Sequence, residues 1–250
     1  MKKIPAVTLL FWVMKICATT LGETAGDLLS MTLNVGYGVS SLLLFSIFLA
    51  VLAGQLAVRR YVPALYWAVI LATSTAGTTL SDYLDRSLGL GYAAGAALLV
   101  TLLLLTLGLW WQSEKSLSVD DIKTRKGELF YWVAILFSNT LGTALGDFLA
   151  DDSGLGFGGG ALLIGSLLAV VVLAHYATRV PGVLLFWVAF VLTRPFGATF
   201  GDLLTKTPEK HGLGFGTTGS SLILFGILAG LVAYESLRRP GPAVAELPAR

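Results

Sequence analysis

Residues 12–27, WVMKICATTLGETAGD, begin with tryptophan, have glycine ten positions later and end with aspartate five positions after that glycine. The same pattern returns at 67–82, 132–147 and 187–202, and an aromatic residue precedes each tryptophan. A glycine–aromatic pair follows the aspartate after nine residues in the first three copies and after twelve, at Gly214–Phe215, in the fourth. The sequence therefore predicts four copies of one structural unit.

The composition around these copies indicates a membrane protein. Of 250 residues, 55% are hydrophobic and only 13% are charged, whereas soluble domains carry roughly a quarter of charged residues. This excludes an ordinary soluble enzyme and a disordered chain. A single cysteine excludes an intramolecular disulfide, and a formal charge of +2 does not favour nucleic acid as a partner.

Eight apolar runs have the length that a helix needs to cross a bilayer, roughly 20 residues. Because the runs are continuous rather than alternating, we predict an all-α integral membrane protein with eight transmembrane helices rather than a barrel. The predicted spans are 5–27, 37–58, 62–82, 91–112, 128–148, 157–177, 181–203 and 215–236.

Basic residues predict the orientation of these spans. Three of them, Arg86, Lys206 and Lys210, fall in loops that follow the odd-numbered spans. The others that flank the spans fall in the second set, which comprises the N-terminus and the segments that follow the even-numbered spans. By the positive-inside rule the second set is cytoplasmic. We expect a multi-pass protein of the bacterial inner membrane with both termini in the cytoplasm. The residues at the cytoplasmic ends are Lys2, Lys3, Arg59, Arg60, Lys115, Lys123, Arg125, Lys126, Arg179, Arg238 and Arg239.

One polar linker divides the chain into two halves. Residues 1–112 contain repeats 1 and 2, 113–127 form a cytoplasmic linker, and 128–239 contain repeats 3 and 4, followed by a mobile tail at 240–250. Ser118 is placed to cap a short helix in the linker. Since each two-helix unit returns the chain to its starting side, the four repeats are parallel. They are compatible with a pseudo-fourfold bundle, a two-plus-two bundle or side-by-side packing.

The small and aromatic residues of the motif have structural interpretations. Three copies contain GxxxG and the second contains Gly77 and Ser81 at the same spacing, which allows helices to approach closely in lipid. The aromatic–tryptophan pairs are expected to anchor the helices at the membrane interface.

The repeated aspartates are the main candidate site residues. Asp27, Asp82, Asp147 and Asp202 occupy one position in all four copies, and a carboxylate in the bilayer centre costs about 2.5–3.5 kcal/mol. One interpretation is that they end helices and meet water or cap loops. The other is that they line a cation or proton pathway.

Hydroxyl groups near the aspartates extend the candidate pathway. Thr20, Thr75 and Thr140 lie within about two turns of the aspartates, and hydroxyl and carboxylate oxygens suit hard cations such as Mg, Ca or Mn. Glu23 adds a second acid one turn from Asp27. The candidate metal ligands are therefore Glu23, Asp27, Asp82, Asp147 and Asp202.

Two basic residues inside the spans complete the set. If the first and seventh helices are neighbours, Arg194 is expected to pair with Glu23, either as a structural ion pair or as a charge relay. Pro195 is expected to kink or locally open that helix. Lys15 lies nearer the cytoplasmic end, where it either snorkels towards water or joins Arg194 in tuning the site.

The stretches TLLFWVMKICATTLGETAGD and LTRPFGATFGD resemble a family of bacterial multi-pass inner-membrane repeat proteins known only as uncharacterised membrane-anchored proteins. That resemblance covers nearly the whole chain and implies repeated hairpins, with no activity attached. Residues 23–27, ETAGD, are also similar to the Glu-x-Gly-Asp signature of manganese and calcium transporters. They differ from it by one extra residue and by the lack of a basic residue after Asp27.

We expect a secondary transporter or exporter of a small cation, such as manganese, that carries no resident cofactor beyond a bound divalent ion. A non-transporting scaffold or partner-binding subunit is an alternative, as is a carrier of a small anionic organic solute held by Arg194 and Lys15 in a tryptophan-lined pocket. The chain contains no P-loop, GxSxG, HExxH or CxxC motif, so an enzyme is not expected. Expected partners are membrane lipids and a small cation, and a homo-oligomer is compatible with the sequence.

Overall fold

The computed structural model describes residues 3–238, which form eight long helices. Each predicted span boundary lies within four residues of an observed one. The helices are α1 (Leu9–Asp27), α2 (Tyr37–Ala57), α3 (Pro63–Asp82), α4 (Tyr92–Glu114), α5 (Arg125–Asp147), α6 (Gly156–Ala177), α7 (Gly182–Thr205) and α8 (Thr217–Arg238).

The four motif helices form a closed inner ring. Helix α1 contacts α3 and α7, and α5 contacts the same two helices from the opposite side. The pseudo-fourfold arrangement is the one observed, and the two halves of the chain together make this single ring. The predicted tail at 240–250 lies outside the described residues.

The other four helices form an outer layer. Each covers the motif helix of the following repeat, so α2 packs on α3, α4 on α5, and α6 on α7, while α8 returns to cover α1. The outer helices are apolar along their length and mostly exposed, as expected of surfaces that face hydrocarbon.

Six of the eight helices are long and apolar enough to cross a membrane: α2, α4, α5, α6, α7 and α8. Helices α1 and α3, with 19 and 20 residues, are not among the six. Both belong to the inner ring, where their many hydroxyl and charged side chains are buried.

The motif glycines make the inner ring tight, as predicted. A Cβ atom added to Gly22 would lie 2.3 Å from Cβ of Ser74 on the next helix, and the same overlap recurs around the ring. Each first motif glycine therefore lies against the residue seven positions after the tryptophan of the following copy. The remaining contacts of this kind are Gly77 with Asn139, Gly142 with Arg194, and Gly197 with Thr19.

The helix ends differ in detail from the prediction. A π-helical turn continues α1, α3 and α5 beyond the aspartate, at Leu28–Thr32, Tyr83–Ser87 and Phe148–Asp152. Helix α7 continues to Thr205 and stays helical through Pro195. In the linker, the Ser118 side chain caps a short turn, Val119–Asp121, as expected.

The glycine signature of the fourth copy is shifted by two residues. The first three loops have a left-handed residue directly before α2, α4 and α6 or at their first position, at Gly36, Gly91 and Gly156. In the fourth loop Gly216, directly before α8, has the equivalent conformation with φ of 72°. The pairing of Gly214–Phe215 with the earlier signatures is therefore wrong: the counterpart is Gly216, which follows Asp202 by fourteen residues where the first three copies have nine.

Candidate functional site: a buried carboxylate cluster

The aromatic residues of the motif pack between the motif helices of the ring and do not point outwards. Tyr66, Trp67, Tyr131 and Trp132 are at most 2% exposed, and the Tyr66 and Tyr131 hydroxyl oxygens are 2.6 Å apart. The interfacial-anchor interpretation is wrong for these side chains, because their helix face points at neighbouring motif helices. We call the following set the aromatic layer: Phe11, Trp12, Tyr66, Trp67, Tyr131, Trp132, Phe186 and Trp187.

The aromatic layer leaves little room for a ligand. Trp67 packs against Phe11 and Tyr66, and Trp187 packs against Trp110, Tyr131 and Phe186. The cavity that Trp67 borders is about 20 Å³, which is room for about one water. The space beside Trp67 is therefore too small for an organic solute.

Above the aromatic layer, Lys15 is fully buried in the ring. Its ammonium donates a hydrogen bond to Asn139 Oδ1 at 3.2 Å and lies 4.1 Å from the centre of the Phe190 ring. Asn139 in turn donates to the hydroxyls of Thr73 and Ser74. The expectation that Lys15 snorkels is wrong, because its side chain points into the ring, where it is 0% exposed.

One turn further along, Arg194 holds three helices together. Its Nη2 donates to Glu23 Oε2 at 2.8 Å, to Thr78 Oγ1 at 2.5 Å and to Thr143 Oγ1 at 2.6 Å. The predicted Arg194–Glu23 ion pair is thus confirmed, with both side chains buried. The hydroxyl groups that meet it stand eleven positions after the tryptophan in their own copies, as does Glu23.

The four aspartates form a layer at the end of the ring and are bridged in pairs. Arg86 lies 3.0 Å from Asp82 Oδ1 and 3.1 Å from Asp147 Oδ2. Lys206 lies 2.7 Å from Asp27 Oδ2 and 2.9 Å from Asp202 Oδ1. All four carboxylates are buried, so each basic residue ties its own repeat to the next one around the ring.

The two bridging residues were treated from the sequence only as loop charges. Each stands four positions after the motif aspartate, in copies two and four, and the equivalent positions in copies one and three hold Met31 and Asp151. A spacing of four on a helical turn brings opposite charges together, and this signal could have identified both residues.

The electrostatics of the bridging residues follow from these contacts. Burial opposes the charge on Lys206, but the neighbouring Asp202 and Asp27 outweigh it and raise the pKa of the ammonium group. The pKa of Arg86 is likewise raised, because Asp82 and Asp147 outweigh burial. Both groups are therefore cationic at any physiological pH.

Three acids converge closely enough to share one ion. Glu23, Asp147 and Asp202 each bring one carboxylate oxygen within 4.8 Å of the other two. Oxygens on opposite sides of a Ca²⁺ ion are about 4.6–5.2 Å apart, given metal–oxygen distances of about 2.3–2.6 Å. This acidic trio (Glu23, Asp147 and Asp202) therefore has the spacing of ligands to a divalent cation.

The structure divides the predicted ligands into two groups. Glu23, Asp147 and Asp202 form the acidic trio, and Asp27 and Asp82 lie beside it. All five acids also form ion pairs with Arg194, Arg86 or Lys206. The hydroxyls of Thr20, Thr75 and Thr140 instead donate to carbonyl groups of their own helices. The hydroxyls that contact the cluster belong to Thr78 and Thr143.

A cleft connects the outer surface with this cluster. It has a volume of about 400 Å³ and lies between the ends of α1 and α7 and the start of α8. Asp27 and Lys206 form part of its wall, together with Thr205, Thr217 and Lys210. Lys206 also contacts Asp202, a member of the acidic trio. The Lys206 side chain therefore lies between the cleft and the acidic trio.

These features define a helical, multi-pass membrane protein of four repeats with a buried acidic cluster. The family model described as Repeat of Unknown Function (DUF347) matches residues 10–61, 65–116, 130–180 and 185–240. The chain therefore belongs to the DUF347 repeat family. Neither a curated protein nor a solved structure matches it.

Proposed function

We propose that this protein is a transporter of a small divalent cation, not an enzyme, and that the acidic trio binds the cation. The observation that carries the proposal is the convergence of Glu23, Asp147 and Asp202 from three different helices of the inner ring. Carboxylate oxygens are the ligands that Ca²⁺, Mn²⁺ and Mg²⁺ prefer. Buried ionisable groups within membrane helices are commonly parts of ion pathways.

The charge of the cluster supports a divalent ion. Five buried carboxylates, those of Glu23 and the four motif aspartates, face three basic groups, those of Arg86, Arg194 and Lys206. The acids thus outnumber the basic groups by two, and a bound divalent cation would offset that excess. Lys15 lies deeper, eight residues before Glu23, or about 12 Å along the helix.

The membrane topology is part of the same proposal. All eight helices cross the bacterial inner membrane, with α1 and α3 shielded from lipid by the ring and by the outer helices. The basic loops place both termini in the cytoplasm. The carboxylate end of the ring and the 400 Å³ cleft then face the outside, and the aromatic layer faces the cytoplasm.

The test is elemental analysis of bacteria that express the protein at equal membrane abundance. We expect the native protein to change the cellular content of one metal, with manganese measured first and calcium second. The Asp147→Asn/Asp202→Asn variant should return that content to the level of cells without the protein. As a matched control, Asp152→Asn/Glu209→Gln removes two exposed acids at the same end and should behave as the native protein. Unchanged metals with the native protein would contradict the proposal.

A structural scaffold is the second candidate function. The observation that favours it is that each acid of the cluster already has a basic partner within 3.1 Å. A scaffold predicts that the Asp147→Asn/Asp202→Asn variant changes stability while metal content stays constant in all cells.

A further inference from the structure

The two basic residues that bridge the aspartate layer have different surroundings. Arg86 lies between two aromatic rings, 5.9 Å from the centre of Tyr37 and 5.6 Å from that of Tyr92, and donates a hydrogen bond to the Tyr37 hydroxyl. Its side chain is one-third exposed, but these contacts and the bridge between Asp82 and Asp147 hold it in place.

The Lys206 side chain is 20% exposed, less than that of Arg86, but it borders a cleft. It is the first residue after α7, and it forms part of the wall of the 400 Å³ cleft. Its ammonium group is held by Asp27 Oδ2 and Asp202 Oδ1. A lysine side chain is a compact charge on a flexible four-carbon stem, so the group is able to swing from the aspartates into the cleft.

The contact with Asp202 is also incomplete. Lys206 Nζ lies 2.9 Å from Asp202 Oδ1, yet this buried oxygen accepts no hydrogen bond of good geometry among residues 3–238. The same ammonium group makes its well-formed hydrogen bond to Asp27. Asp202 is therefore the less tightly held of the two partners of Lys206, and Asp202 belongs to the acidic trio.

We propose that Lys206 is a tethered competitor for the cation site: its ammonium group occupies the Asp27–Asp202 pair until a divalent cation arrives through the cleft and displaces it. The inference rests on the proposed function, because it assumes that the acidic trio binds a divalent cation. A cation held by Asp202 and the ammonium group at 2.9 Å from the same carboxylate repel each other. The lysine leaves, and Arg86 stays on the opposite side of the ring.

The first experiment titrates Mn²⁺ into purified protein in detergent and follows binding by calorimetry. Lys206→Gln should bind Mn²⁺ about tenfold more tightly than the native protein, because the competing charge is gone. Lys210→Gln removes the same charge from another wall of the same cleft and should change the affinity by less than about twofold, as for an exposed and screened charge. Equal or weaker binding by Lys206→Gln overturns the inference.

The second experiment uses the native protein, so it does not depend on how a variant folds. An amine-acetylating reagent is added with and without saturating Mn²⁺, and acetylation is measured at individual lysines by mass spectrometry. Displacement frees the Lys206 amine from the two carboxylates that hold it and exposes it in the cleft, so its acetylation should increase severalfold with Mn²⁺ while that of Lys210 stays constant. Unchanged or reduced acetylation of Lys206 overturns the inference.

The two proposals fail in different ways. If the native protein binds Mn²⁺ but neither the affinity of Lys206→Gln nor the acetylation of Lys206 changes as described, the cation site stands and the competitor role is wrong. If neither the native protein nor Lys206→Gln binds Mn²⁺, both the cation site and the competitor role are wrong for this ion. Binding by Lys206→Gln alone supports both.

Discussion

At one end of the inner ring, eight aromatic side chains fill the space between four helices; at the other end, four aspartates and two basic residues do so. Both ends are built from the same repeat. The aromatic layer has nearly the same residue types in every copy. The aspartate layer has identical acids but basic partners in only two copies, so its backbone has fourfold pseudosymmetry and its charges have twofold pseudosymmetry.

This difference indicates at which end of the ring the contacts between helices can be exchanged for contacts with an ion. The aromatic layer is held by apolar burial, by the hydrogen bond between Tyr66 and Tyr131, and by a hydrogen bond that Trp67 donates to the Glu235 carboxylate. The aspartate layer is held by ion pairs, and a competing cation can substitute for a lysine or an arginine. A single repeat thus supplies a stable closed end and an end whose contacts are exchangeable.

The largest effect is expected at the ion pair between these two ends. Arg194→Leu leaves Glu23 buried without its partner and should reduce the free energy of unfolding by about 3–5 kcal/mol. The Arg194→Leu/Glu23→Leu variant removes both charges and should recover most of that loss. Unfolding in detergent with increasing denaturant measures both. Equal stability of the single and double variants would show that the pair does not hold the ring.

A smaller effect is expected where the helices meet through glycine. A Cβ atom at Gly197 would lie within 2.9 Å of the backbone and side chain of Thr19, so Gly197→Ala should destabilise the ring by about 1–3 kcal/mol. Gly230→Ala is the matched control, because that helical glycine has no atom within 4 Å of an added Cβ. The control should be neutral or slightly stabilising. Thermal unfolding of both variants compares the ring with its outer layer.

The aromatic layer should respond less to the loss of a single polar contact. Tyr131→Phe removes the hydrogen bond with Tyr66 and should cost about 0.5–1.5 kcal/mol. Because neither group is charged, the loss should be the same at low and high salt, as measured by unfolding at two salt concentrations. A loss that shrinks in high salt would show that this end also depends on charge.

The smallest effect is expected on the pH dependence of stability. Lys206→Gln leaves the buried carboxylates of Asp27 and Asp202 without their cationic partner and should reduce the free energy of unfolding by about 1–3 kcal/mol. The pKa of Lys206 is raised in the folded protein, so the stability that it contributes is fully present below the ordinary lysine pKa and is lost only as pH rises through the higher folded value. The difference between native protein and variant should therefore be constant from pH 6 to 9 in thermal unfolding. A difference that falls within this range would contradict the raised pKa.

Much of the fold follows from patterns that the sequence displays directly. The spacing of the four tryptophan–glycine–aspartate motifs predicts the helices and the parallel repeats, and the charges of Glu23 and Arg194 predict their ion pair. A buried charge needs a partner, and these residues were the unmatched ones, so their pairing could be predicted before the ring was known.

The direction in which a side chain points was harder to predict. Tryptophan near a helix end is common both at membrane interfaces and in helix contacts, so the sequence did not show that Trp67 and Trp132 face inwards. The burial of Lys15 depends on the same rotation of a helix about its axis. The cluster around Asp147 and Asp202 depends on which helices are neighbours, and this follows from packing across all four repeats.

The order in which the outer helices cover the inner ones has a consequence for biosynthesis. Helix α1 is the first to leave the ribosome, but α8, the last of the eight, is its outer cover. During translation, one side of the polar face of α1 therefore stays uncovered until α7 is made, and its outward face stays uncovered until α8 is made. A nascent chain that has not yet made the fourth repeat lacks Arg194, so at that stage the ring is open and Glu23 is without its ion-pair partner.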